Sequence, residues 1–275
     1  MKNWMVLGLL LLLMSCCAGL KTSVPSDLIV TPTPTPAATP VPALGDTGWV
    51  SVDSGLEKRD IDLMLNGLLV DRLFLARIDP AHFRFEVAYD PAHPKWIDDW
   101  QKQLGARLVF NGGFFQVQQG RYLPAGLLVV DGQVLGKSYV GYGGIFAVTA
   151  GGPDLRWLVR DPYQPGEPLE YALESFPILV EPGGIEGFPA EREDNMLARR
   201  TVIGRDRAGR FIVLVTSAAS FTLHRLSVYL VGSDLDLDIA LNLDGGPSSG
   251  IAMSDPPVLV PAGSQLPMVI AVFPR

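Results

Sequence analysis

From about Gly45 onward, short apolar runs alternate with turn residues along the chain. Leu68 to Ile78, Phe83 to Tyr89, Arg107 to Phe110 and Gly126 to Val130 are rich in Val, Leu, Ile and Phe, which suit a pleated, half-buried surface. Ile145 to Thr149, Arg156 to Arg160, Ile178 to Glu181, Thr201 to Gly204, Arg210 to Thr216, Ile239 to Leu243 and Met268 to Phe273 continue the series. Asp131-Gly132 separates two such runs and tolerates positive φ at both positions, which predicts a hairpin. Arg205 to Gly209 reads as a second short hairpin loop.

Two stretches have helical spacing instead. Pro94 to Leu104 carries Trp96, Ile97, Trp100 and Leu104 three and four residues apart, with Pro94 near its start and Gly105 just past its end. Thr222 is placed to cap a second helix over 222–231, in which Leu223, Leu226 and Leu230 share a face and Gly232 marks the end. Two substantial helices among so many strands predict an α+β fold with a strand-rich mixed or antiparallel sheet core. A doubly wound sheet needs a helix after nearly every strand. No repeat with a period of 20–50 residues points to a propeller or solenoid.

Composition sharpens this picture. The 275 residues are 48% hydrophobic and 19% charged, which excludes disorder and a long coiled coil for the bulk of the chain. Gly and Pro number 29 and 23, well above ordinary usage, and imply many turns. A net charge of −7 argues against a nucleic-acid partner, which selects a basic face. Both cysteines, Cys16 and Cys17, lie near the amino terminus, so the body has no disulfide, thiolate nucleophile or cysteine zinc site.

The first residues read as an export signal. Lys2 precedes an apolar stretch from Met5 to Met14, too short to span a bilayer and suited to a signal peptide. Leu13-Met14-Ser15-Cys16 resembles the lipobox of bacterial lipoproteins. The resemblance implies a signal peptide over 1–15, lipidation of Cys16, and a membrane partner reached through that anchor. Residues 16–44 then form a Pro/Thr-rich tether with six prolines (25, 32, 34, 36, 40 and 42).

Three segments carry candidate chemistry. In Ile239-Ala-Leu-Asn-Leu-Asp-Gly-Gly-Pro-Ser-Ser-Gly250 an apolar strand delivers Asp244 to Gly245 and Gly246, whose N–H groups suit an anion, with Ser248 and Ser249 as further donors. In Phe110-Asn111-Gly112-Gly113-Phe114-Phe115 the Asn111 amide suits a sugar hydroxyl and the phenylalanines a sugar face; the bland reading is a tight turn with core aromatics. In Arg199-Arg200-Thr201 alternation sends one arginine to each face, and a planar guanidinium suits phosphate. Glu174 is a second, weaker carboxylate. No motif requires a metal or cofactor, although alternation puts Asp236 and Asp238 on the face of Asp244, where they could share an ion.

Taken in order, Asn-Gly-Gly-Phe-Phe at 111–115, Arg-Thr-Val-Ile-Gly at 200–204, the Thr-led helix and Leu-Asn-Leu-Asp-Gly-Gly at 241–246 resemble the phosphodiester glycosidase family. The resemblance spans roughly 45–275. It implies hydrolysis of a glycosidic bond to phosphate in a glycan or sugar-1-phosphodiester of a cell-surface polymer. Asp244 is then base or nucleophile, Arg200 the phosphate clamp, and Asn111 a partner of sugar or phosphate. Gly112, Gly113, Phe115, Thr201, Gly245, Gly246, Ser248 and Ser249 line the substrate site. Pro247 and Gly250 depart from the family's glycine and threonine, and Thr216-Ser217-Ala218-Ala219 from its Val-Asp-Gly-Arg. These departures leave a second reading open, a surface lipoprotein that binds polysaccharide without cleaving it.

Overall fold

A computed structural model describes residues 45–139 and 141–275. The expected signal peptide, the tether and Cys16 lie outside the described residues. The largest sheet has eight strands in the order Val50–Asp53, Leu56–Leu65, Leu68–Ile78, Phe211–Thr216, Thr201–Asp206, Leu237–Asn242, Ile178–Glu181, Ile185–Glu186. A five-stranded sheet runs Gly152–Trp157, Gly144–Thr149, Tyr171–Ser175, Leu128–Val130, Gln133–Leu135. A second runs Val258–Val260, Ile251–Met253, Leu108–Asn111, Met268–Pro274, Phe83–Tyr89, and Phe115–Gln118 pairs with Arg121–Pro124. Every strand pairing among the described residues is antiparallel.

The three large sheets share one core. Each sends a phenylalanine to its centre: Phe211, Phe146 and Phe85 stand with ring centroids 5.2–5.8 Å apart. Tilted and edge-on rings at this separation add to the area they bury. The outer face of the eight-stranded sheet is covered by helix α2, Leu223–Gly232, whose Leu226 and Leu230 pack among Val202, Leu214 and Ala240. Helix α1, Ile97–Leu104, covers the second five-stranded sheet with Ile97 and Trp100.

The α+β expectation holds, with two helices on a strand-rich base. Thr222 caps α2 by accepting from Arg225 N–H at 3.2 Å, and α1 ends on Gly105 at φ 62°. Helix α1 starts later than its spacing suggests, because Lys95 is held extended by mutual backbone bonds with Leu266. The run predicted over 156–160 is a strand only to Trp157, after which the chain turns. Asp131-Gly132 forms the expected hairpin turn with φ of 48° and 75°.

The strand Leu56–Leu65 escapes the hydrophobic pattern because Glu57-Lys58-Arg59-Asp60 reads as a loop. Two of its charges pair across the hairpin. Glu57 faces Arg77 and accepts from its Nε at 2.6 Å, and Asp62 faces Arg72 at 2.5 Å. Arg59 turns inward, between Asp46 and Asp234.

Candidate active site

The site forms where strands from two sheets end together. Val202 faces Asn242 in the eight-stranded sheet, and Leu243 N–H donates to Thr201 O at 2.8 Å. Continuing this register sets Arg200 opposite Asp244, just beyond the last paired residues. Asn111 ends a strand of the neighbouring five-stranded sheet.

Asn111 joins the two. Its buried side-chain oxygen accepts from Thr201 Oγ1 at 2.7 Å and from Gly250 N–H at 3.1 Å. Its Nδ2 donates to Asp244 O at 2.7 Å and to Gly112 O at 3.2 Å. An amide offers two donors and two acceptor lone pairs, and all are engaged. Asn111 therefore positions Asp244 and Thr201, and has no group left for the sugar hydroxyl that the sequence suggested. Thr201 is likewise buried, its hydroxyl spent on Asn111.

Asp244 leads into the Gly245–Gly250 loop. Its Oδ1 accepts from Gly245 N–H at 2.9 Å, and the Ser248 hydroxyl bonds the same carboxylate. Burial outweighs both bonds and pushes the acid from an ordinary 3.8 up to about 6. Gly246, at φ 59°, turns the chain so that its N–H donates to Arg199 O at 2.8 Å. Pro247 occupies the first turn of a short 3₁₀ segment, where a missing N–H costs no intrahelical bond. Ser249 is fully buried and its hydroxyl has no partner among the described residues. At Gly250 a Cβ would lie 2.9 Å from Ala262 N, so the family's threonine gives way here to close backbone packing.

Arg200 lies on the α2 face. Its Nε donates to Phe221 O at 3.1 Å and Nη2 to Met196 O at 2.8 Å, while Nη1 makes no hydrogen bond among the described residues. Nη1 lies 3.9 Å from the position a Cβ on Gly245 would take, at the edge of the Asp244 loop. Burial lowers its affinity for the proton, partly offset by Asp194 and Glu193. This is a buried cation bound to carbonyls rather than to a carboxylate, an arrangement that favours an incoming anion. Arg199 reaches the other way, to Pro261 O at 3.0 Å, as alternation requires. Thr216, which the sequence marked only as a departure from the family pattern, accepts from Arg200 N–H at 2.8 Å and fixes the arginine's backbone.

Gly112 and Gly113 are there for lack of room. A Cβ on Gly112 would stand 2.8 Å from Met268 Cγ, and one on Gly113 2.7 Å from Glu174 O. The two phenylalanines part after them. Phe115 packs onto the main core and against Tyr122, whereas Phe114 stacks on Phe176 at 4.5 Å beside Tyr139 and Tyr142. The aromatic wall beside the site thus contains Phe114 rather than the expected Phe115. Asn242 ties it to the strand bearing Asp244 by donating to Phe176 O at 2.9 Å. No spacing rule links 114, 139, 142 and 176, so this cluster was not legible in the sequence.

Glu174 is buried and accepts from Leu127 N–H, Tyr139 N–H and the Ser138 hydroxyl. Burial raises its pKa despite these bonds, and it anchors the 138–139 segment. Asp236 and Asp238 do not join Asp244. They pair with Arg207 and Arg205 at the opposite end of their strand, about 20 Å away at 3.3 Å per residue. A bulge between Leu237 and Ile239 breaks the alternation there, and the length of the strand separates both carboxylates from Asp244. Among the described residues no group of three His, Cys, Asp or Glu side chains is arranged to hold a metal.

Fold and geometry together define a strand-rich α+β protein that brings one carboxylate of raised pKa and one arginine bound to main-chain carbonyls to adjoining strand ends. The sequence pattern of the phosphodiester glycosidases matches residues 104–273, more than half of the chain, and the protein belongs to that family. Its structure is similar to the catalytic domain of zebrafish N-acetylglucosamine-1-phosphodiester α-N-acetylglucosaminidase, auto-inhibited by its pro-peptide, with a TM-score of 0.63 and 18% identity over 83% of this chain and 87% of that one. It is also similar to a hypothetical protein from Synechocystis, with a TM-score of 0.57 and 14% identity over 82% and 63% of the two chains. At these identities the likeness is one of fold. No curated protein sequence matches the chain.

Proposed function

We propose that the protein is an extracytoplasmic hydrolase that cleaves the glycosidic bond to phosphate in a sugar-1-phosphodiester, held at the outer face of a bacterial membrane by a lipid on Cys16. The observation that supports the reading is Asp244, raised to about 6, at the end of the strand next to the one that leads from Arg200, whose Nη1 makes no hydrogen bond among the described residues.

Ordinary glycosidases use two carboxylates, one to protonate the leaving oxygen. Here Glu174 is committed to three donors, which leaves Asp244 as the free acid of the site. A phosphate leaves as an already stabilised anion, so a cation and N–H donors suffice in place of the acid. Ionised Asp244 acts as nucleophile at the anomeric carbon or as base toward water. The C1–O bond breaks with its electron pair going to the phosphate oxygen beside Arg200. Water supplies the new hydroxyl, and its proton passes through Asp244 to solvent. Gly245, Gly246 and Ser248 shape the anion side of the pocket, and Phe114 with Tyr142 and Phe176 forms the apolar wall for the sugar.

The test is incubation of the full chain with a chromogenic sugar-1-phosphodiester, reading free sugar and phosphomonoester in equal amounts. Saturable binding of the diester with no release of sugar replaces this reading with that of a non-catalytic polysaccharide-binding lipoprotein. Retention of a Cys16→Ser variant in the membrane, processed as in the parent, removes the anchor from the proposal.

A further inference from the structure

The hairpin Leu56–Leu65/Leu68–Ile78 ends in an apolar tip that lies outside the core. Asn66-Gly67, at φ 53° and 79°, makes the turn. Around it Leu65, Leu68, Leu69 and Val70 are 62, 72, 54 and 41% exposed. Single exposed aliphatics are common, but four gathered on one projection mark a docking element. The nearest charges are neutralised. Asp62 pairs with Arg72, and Asp71 is buried beneath the N–H groups of Ser217 and Ala218 and the Ser220 hydroxyl.

The tip projects beyond the end of the sheet that carries the site. Leu73 faces Thr216, the last residue of its strand, and Thr216 holds Arg200. Six further residues carry the hairpin about 20 Å past that point at 3.3 Å per residue. In the sheet the hairpin is two strands from Arg200 and three from Asp244, about 10 and 14 Å at ordinary strand spacing. Met196 and Leu197, 63 and 53% exposed, add a second apolar point on the loop whose carbonyl binds Arg200. The described chain also begins here. Gly45 O accepts from Asp62 N–H at 3.4 Å and Thr47 N–H donates to Asp60 O at 3.0 Å, close to Leu65 along the same strand. The tether therefore joins the domain at the end that carries both the apolar tip and the site.

We infer that the 64–70 hairpin tip, with Met196 and Leu197, docks into the hydrocarbon boundary of a lipid membrane and turns the Arg200–Asp244 edge toward the bilayer. This rests on the reading of Cys16 as the lipid anchor, which brings a bilayer within reach of this end of the domain. With a net charge of −7 and, among the described residues, the one arginine near the tip, Arg72, paired with Asp62, insertion is driven by apolar area and needs no anionic lipid.

The body of the protein is free of cysteine, which permits a direct test. Mature, acylated protein with Cys17→Ser and either Leu69→Cys or Ala208→Cys is labelled with an environment-sensitive fluorophore and bound to phosphatidylcholine vesicles containing a doxyl-labelled lipid. Ala208 lies in the exposed turn at the far end of the same sheet. Residue 69 is expected to shift to the blue and be quenched several-fold more than residue 208, at low and high salt alike. Solvent-like emission at 69 on bound protein overturns the inference, as does failure to associate with the vesicles. A blue shift at 69 without vesicles that grows with protein concentration assigns the tip to a second copy and also overturns it. In a second arm, Leu68→Asp with Leu69→Asp is expected to cut turnover of a vesicle-borne sugar phosphodiester at least about 10-fold and leave a soluble one unchanged. Equal turnover of both by this variant overturns the inference. If the parent turns over neither diester, the hydrolase reading fails while the quenching result still decides the docking.

Discussion

The Asn111 amide donates to the main-chain carbonyl of Asp244 at 2.7 Å, across 133 residues of sequence. It is one of four bonds that the side chain makes among strand ends of two sheets. Asn111→Asp sets a carboxylate oxygen against the carbonyls of Asp244 and Gly112, where the parent has an NH₂. Leaving buried partners unpaired costs about 1–3 kcal/mol each. The expected outcome is a loss of about 2–4 kcal/mol in urea unfolding, with turnover falling in step. An Asn111→Asp protein as stable as the parent would show that the strand ends do not depend on this side chain.

The raised pKa of Asp244 makes two linked predictions. Activity through the ionised carboxylate rises with pH through about 6. Stability runs the other way, because the folded state holds this proton more tightly than the unfolded chain, whose carboxyl titrates near 3.8. The stabilising contribution is complete below about pH 4 and is lost as pH climbs through 6. Asp244→Asn should therefore abolish most turnover yet stabilise the protein at pH 7–8, on the order of 2 kcal/mol, with no advantage at pH 3.5. Parallel stability curves at both pH values would refute the linkage.

The two neighbouring serines separate cleanly. Ser248→Ala removes a hydrogen bond to the ionised carboxylate, so the acid limb of the activity profile moves to higher pH. Ser249→Ala removes a buried hydroxyl that has no partner among the described residues, and stability is expected to stay level or rise. A pH profile unmoved by Ser248→Ala detaches that residue from Asp244.

Arg200→Ala is judged by a ratio rather than a rate, since its guanidinium also holds Phe221 O and Met196 O. Any general damage to the fold affects all substrates alike. Loss of a charge-assisted contact worth about 1.5–3 kcal/mol should lower kcat/KM for a sugar-1-phosphodiester at least 10-fold more than for an aryl glycoside. An equal fall on both substrates takes the phosphate away from Arg200.

Gly113→Ala tests the crowding beneath the site. The added methyl meets Glu174 O at 2.7 Å, a backbone atom that cannot swing aside. Overpacking of this kind costs about 1–3 kcal/mol. Thermal unfolding at the parent temperature would show that the neighbouring strand can yield.

Sequence made the secondary structure legible wherever one side of a strand is apolar, as in Leu68–Ile78 and Phe83–Tyr89, whose bounds it matched. It failed at Leu56–Leu65, where the charged run 57–60 interrupts the buried Leu56, Ile61 and Leu63 and hides their alternation. Asp244, Arg200 and Asn111 were legible as residues, because carboxylate, guanidinium and amide stood beside glycines at apparent strand ends. Their division of labour was not. That Asn111 is saturated, that Arg200 keeps one nitrogen free and that Phe114 rather than Phe115 joins the aromatic wall are consequences of register between strands distant in sequence. Asp236 and Asp238 show the same limit, since alternation assigns a face and says nothing of distance along it.

The strand Met268–Pro274 lies between Phe83–Tyr89 and Leu108–Asn111, and its Met268 carbonyl accepts from Gly112 N–H at 3.2 Å. It is the last strand of the fold, yet it sits inside the sheet and props the glycine turn of the site. A chain that emerges amino end first therefore holds Asn111 ready long before the strand that buttresses it arrives, and such distant pairings form slowly. Completion of the site thus waits on completion of the chain: one arrested before Met268 carries Asn111, Arg200 and Asp244 and lacks the strand that frames the glycine turn between them.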